Sequence, residues 1–192
     1  MFNLNADTAV NRFLARLTDL FLLQLLFILT SIPLITIGAG ISAVFSVCRK
    51  LRQDSISSVI SCYFRDFAAN WKQATAAWLL FLLTAVIVFV GFRYYASDDA
   101  LSVIGRLLIM LVAVAAYLVF LYLFPMLSWL EHPLLSQMKN ALVLSLLHLK
   151  TTILATGTLI AAFFVARYVY PIFLFGGLSA TIYIISGFFL KT

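Results

Sequence analysis

Between Leu20 and Val47 the chain runs 28 residues without a charged side chain, about 42 Å at the helical rise. Crossing a hydrocarbon layer roughly 30 Å thick needs about 20 mainly apolar residues. Four further runs meet that requirement: Ala74–Tyr95, Ala100–Phe124, Thr151–Tyr170 and Pro171–Leu190. No Asp, Glu, Lys, Arg or His occupies the middle of any of the five. Composition agrees. Of the 192 residues 64% are hydrophobic and 10% charged, where a soluble domain carries about 25% charged residues. So little charge cannot cover a wet surface, which excludes a soluble domain, a disordered chain and a disulfide scaffold. The expected fold class is all-α, a polytopic transmembrane helical bundle forming one integral membrane domain over residues 1–192, with about five spans. The N-terminus does not read as a cleavable signal peptide, because Asp7 and Asp19 precede an apolar run too long for one.

The first run differs from the rest. Pro33 interrupts it and Thr36-Ile37-Gly38-Ala39-Gly40 follows; a proline inside a helix removes a hydrogen bond and clashes with the preceding turn. Two readings follow. One is a single long, kinked crossing. The other is a broken pair, Leu20–Ile32 and Leu34–Val47, with the N-terminus on the same side as the basic Arg49–Lys72 segment. Lys and Arg concentrate on the cytoplasmic side of membrane proteins, and the pair gives ten basic residues inside against three outside, the kinked crossing eight against five. Proline kinks are nonetheless common in membrane helices, and the kinked crossing is the reading favoured. Both readings place Arg49–Lys72 and the C-terminus in the cytoplasm of a plasma (inner) membrane.

The net charge of +6 does not indicate nucleic acid, since the basic residues sit at the ends of apolar runs, where they set orientation. Cys48 and Cys62 form no framework and no metal spacing with His132 or His148; two unpaired thiols are expected. Two connecting stretches carry helical stripes: Ile56, Val59, Ile60, Tyr63, Phe64, Phe67 and Trp71, then Leu134, Leu135, Met138, Ala141, Leu142, Ser145, Leu146 and Leu149. Both read as amphipathic helices at the cytoplasmic interface, against membrane lipid. Phe64, Phe67, Trp71, Met138 and Leu142 are the candidate partner-docking residues, and Val10–Leu17 suggests a shorter third amphipathic helix.

Intramembrane catalysis and proton coupling need ionisable residues in a cavity. This chain offers none at its span centres, and no nucleophile elbow, HExxH or phosphate loop. No catalytic residue, cofactor or metal site is expected. A neutral-solute pathway could use Gln24, Thr30, Ser31, Thr36, Ser42 and Ser46, although such residues equally hold helices together.

The segment Phe27–Ala39, FILTSIPLITIGA, resembles the "LPIVTIGA" signature of the YesL-like family of bacterial membrane proteins. Tyr63–Thr75, YFRDFAANWKQAT, is similar to that family's "F…F…NFKQAT". Leu123-Phe124-Pro125, Lys139–Leu142 and His148-Leu149 continue the match in order. Gln24 stands where Asn is common, and Arg52–Ser55 replaces an "RGEE"-like turn. The family is a domain of unknown function found with carbohydrate-uptake and polysaccharide-degradation genes. The resemblance implies a non-catalytic accessory role in sugar uptake or sensing, with an ABC importer or a membrane sensor kinase as partner. It marks Pro33, Thr36, Gly38, Asn70, Gln73 and Thr75 as candidate functional or structural motif positions. The alternative is a small-solute transporter or channel, oligomeric through copies of itself, built around the broken first span.

Overall fold

The computed structural model describes residues 4–56, 58–95, 99–128, 133–168 and 176–189. Among these every regular element is helical: α1 (Leu4–Thr30), a single 3-10 turn (Leu34–Thr36), α2 (Ile37–Arg52), α3 (Val59–Tyr94), α4 (Ala100–Leu127), α5 (Leu134–Leu147), α6 (Leu149–Tyr168) and α7 (Gly177–Phe189). Five segments are long and apolar enough to cross a membrane: Phe13–Thr30, Leu34–Arg52, Val59–Tyr94, Leu101–Leu127 and Leu149–Tyr168. The all-α polytopic bundle read from hydropathy is therefore what the chain forms.

The first uncharged run is two helices, which corrects the favoured single kinked crossing. Pro33 lies in extended backbone and biases Ile32 out of the helical region, so α1 stops at Thr30. The Thr36 hydroxyl donates back to the Thr30 and Pro33 carbonyls, closing the turn. The chain then reverses. Phe27 packs against Gly40, and Arg16 reaches Asp54 at 3.0 Å, 38 residues along the chain. A continuous helix would hold those two about 57 Å apart. Arg16 thus shares an end of the molecule with Arg49, Lys50 and Arg52, the grouping that the charge count preferred. Both helices are also longer than the half-helices read from hydropathy, because α1 absorbs the N-terminal amphipathic stretch.

A second merger occurs in α3. The stretch 59–71 and the apolar run from Ala74 form one helix of 36 residues, with no proline or glycine before Gly91 to break it. In α4 Pro125 lies in the last turn, and the Ser128 hydroxyl caps its carbonyl at 2.6 Å. The short α7 takes up part of the expected Pro171–Leu190 span; residues 171–175, with Ser97, Asp98, Glu131 and His132, lie outside the described residues.

The most buried helix is α2, with Ala39, Ala43, Val44, Val47 and Cys48 at 1% exposure or less. The outer faces of α3, α4 and α6 show the reverse. Phe89, Leu101, Leu107, Leu111, Ile153 and Phe163 are each more than 60% exposed. A continuous apolar surface of that kind suits lipid and not water.

Candidate functional site

A seam of small and polar residues lies between α2 and α3. Four α2 residues spaced by four, Gly38, Ser42, Ser46 and Lys50, share one helix face. They run antiparallel to Ala74, Asn70, Asp66 and Cys62 on α3. A Cβ placed on Gly38 would lie 2.5 Å from the Ala74 carbonyl oxygen and 2.5 Å from Trp78 Cβ, so glycine sets the closest approach. Four residues on, the Ser42 hydroxyl is buried without a hydrogen-bond partner among the described residues. Next, the Ser46 hydroxyl donates to Asp66 Oδ2 at 2.7 Å. At the basic end Lys50 Nζ pairs with the same carboxylate and lies 3.4 Å from Cys62 Sγ. Arg65 approaches Asp66 Oδ1 at 3.4 Å from the surface side. Asp66 is 9% exposed and Cys62 6%.

A carboxylate drawn this far from water needs a counter-charge and filled lone pairs. Lys50, Ser46 and Arg65 supply both, occupying both carboxylate oxygens. The arrangement clamps α2 to α3 at the basic end as the glycine contact does at the other. Among the described residues no three His, Cys, Asp or Glu side chains converge in a set that could hold a metal ion. Cys48 and Cys62 are free thiols, both buried.

Two smaller knots tie α7 and α6. The buried Gln24 side-chain carbonyl accepts from the Ser179 amide and hydroxyl, each at 3.0 Å. Arg52 stacks 4.1 Å over the Tyr183 ring and donates to its carbonyl, while Arg16 donates to its hydroxyl at 2.7 Å. On the far side, Thr152 joins the Tyr122 hydroxyl at 2.9 Å and donates to the Ser145 carbonyl at 2.9 Å.

The candidate motif positions separate accordingly. Gly38 belongs to the α2–α3 seam, and Asn70 is half-buried on α3. Thr36 closes the hairpin turn, at whose exposed tip Pro33 sits. Trp78 Nε1 fastens that tip by donating to the Leu34 carbonyl at 3.0 Å. Thr75 is buried, its hydroxyl without a hydrogen-bond partner among the described residues, and Gln73 is exposed. The docking candidates divide as well. Phe64 and Trp71 are exposed at 45% and 46%, beside Ile60 at 46%. Phe67 stacks on Tyr63 and packs, with Met138, against the core; Leu142 is half-buried. On α5 the buried face is Gln137, Ala141 and Ser145, and Leu135, Leu146 and Leu149 of the expected stripe point outward.

Lys50, Cys62 and Asp66 were not among the sequence candidates, since Asp66 falls off the apolar stripe of its helix. The signal was the spacing: a small-polar residue every fourth position on α2, mirrored on α3.

Residues 20–92 match the family model described as "Protein of unknown function, DUF624", consistent with the YesL-like resemblance and covering both the hairpin and the seam. No curated protein matches the chain, and no solved structure does.

Proposed function

We propose that the chain is a non-catalytic accessory protein of a bacterial plasma membrane, docking onto a partner in carbohydrate uptake or sensing, an ABC importer or a sensor kinase. The observation that carries this reading is how the polar residues of the first run are used. Gln24 is taken by Ser179, Ser46 by Asp66, Thr30 by the Leu26 carbonyl and the Tyr63 hydroxyl, and Thr36 by the turn. Four of the six residues that would line a solute pathway are spent holding helices together, while the Ser31 and Ser42 hydroxyls are buried without a partner among the described residues; the balance weighs against the transporter alternative. Phe64 and Trp71 lie exposed on the part of α3 that carries Arg65 and Lys72, and large aromatics of that kind anchor interfaces. The carbohydrate context comes from the family resemblance. The cytoplasmic placement of the basic end comes from the distribution of Lys and Arg.

Photo-crosslinking tests the reading. A benzophenone residue at Phe64 or Trp71 in native membranes should trap one importer subunit or kinase, and the same probe at the core-packed Phe67 should not. Self-adducts alone from the two exposed positions would overturn it, as would neutral-sugar flux in liposomes abolished by Gln24→Ala.

A further inference from the structure

Between α2, α3, α4, α6 and α7 lies a cavity of about 440 Å³. An apolar cavity of about 150 Å³ already stays dry and holds a benzene-sized guest. The deep wall is Phe45, Phe120, Ile182 and Ile185, which are 2–9% exposed. Of the lining residues only Tyr117 and Thr181 carry a polar side-chain atom. Both are engaged, Tyr117 with the Thr156 hydroxyl at 2.9 Å and Thr181 with the Gly177 carbonyl at 2.6 Å. A guest with hydrogen-bonding groups would therefore lose its water without replacement. The guest must be hydrocarbon.

The exposed members of the lining show where it enters. Tyr117 on α4 and Leu159 on α6 are each 38% exposed, and Phe163 is 70% exposed. They continue the apolar outer faces of α4 and α6, where Leu111 and Ile160 are exposed at 67% and 53%. The opening is thus continuous with the surface these helices turn to the membrane, and what reaches it sideways is the bilayer's own hydrocarbon. We infer that this cavity admits one acyl chain of a bilayer phospholipid between α4 and α6, its headgroup remaining outside the protein. The chain completes the packing of five helices that, among the described residues, leave an open apolar cleft between them.

The test uses the full-length protein in phosphatidylcholine liposomes containing phospholipid with a diazirine within one acyl chain. After irradiation, adducts are mapped by peptide mass spectrometry. The expected map includes Phe45, Phe120, Ile182 or Ile185 as well as surface positions such as Leu111. Adducts confined to exposed residues overturn the inference. Ala162→Phe, which fills the cavity from α6, should lower wall adducts about tenfold and leave those at Leu111 unchanged; undiminished wall adducts would also overturn it. A parallel arm carries the same diazirine on a free fatty acid, and wall labelling by the fatty acid alone refutes the phospholipid assignment. The unsubstituted protein's map decides the question should the variant not fold.

Discussion

Gly38→Ala tests whether the α2–α3 contact is as close as the seam requires. The added methyl would sit 2.5 Å from the Ala74 carbonyl oxygen and 2.5 Å from Trp78 Cβ, so the helices must part by about 1 Å to restore contact distance. Neither neighbour is the free end of a flexible side chain. Overpacking of this kind costs about 1–3 kcal/mol. Parting the helices also stretches the Ser46–Asp66 bond about two turns of register away. Gly157→Ala is the matched control. It makes the same change within α6 and meets nothing within 4 Å, so it keeps only the propensity gain of about 1 kcal/mol. The assay is thermal unfolding of both variants in one detergent at one scan rate, followed by tryptophan fluorescence. Gly38→Ala should melt below Gly157→Ala by about 2–12 °C, at 2–4 °C per kcal/mol for a chain of this length. Equal melting temperatures would refute the close approach and return Gly38 to the list of functional positions.

The buried ion pair and the hairpin give two further expectations. Asp66→Ala leaves Lys50 with 21% of its side chain exposed and no carboxylate, and should cost about 3–5 kcal/mol, read as the loss in the same melt. Lys50→Met together with Asp66→Leu should recover most of that stability, and a double variant as weak as the single one would show that the pair is not the clamp. For the hairpin, Arg16→Cys with Asp54→Cys, in a background with Cys48 and Cys62 replaced by Ala, should be bridged within one chain by a short bis-maleimide, since the 3.0 Å contact joins side-chain tips and not backbones. The mass signature of that bridge should be absent if α1 and α2 were one kinked helix.

Sidedness cannot be probed with the native thiols, since both are buried; an exposed position such as Gln73 on α3 is the better reporter.

Hydropathy and charge placement were enough to determine that this chain is an all-α membrane protein, and roughly where α3, α4 and α6 lie. The bilayer imposes those features locally, since each span must satisfy its own backbone and match a fixed thickness. Pro33 likewise announced a break from sequence alone, because it constrains its own φ and the residue before it. Whether the break was a kink or a reversal depended on Arg16 meeting Asp54 and Phe27 meeting Gly40, contacts between residues far apart in the chain. The same holds for Asp66. On its helix wheel it is a polar residue off the apolar stripe, and only a neighbouring helix carrying Ser46 and Lys50 in register turns it inward. The stripes misled for a related reason. In lipid an apolar face gains nothing by packing against protein over lipid, so Leu135 and Leu146 turn outward while Gln137 and Ser145 turn in. Apolar periodicity told which segments are helices; the pairing of small and polar groups, visible only once the helices meet, decided which faces join.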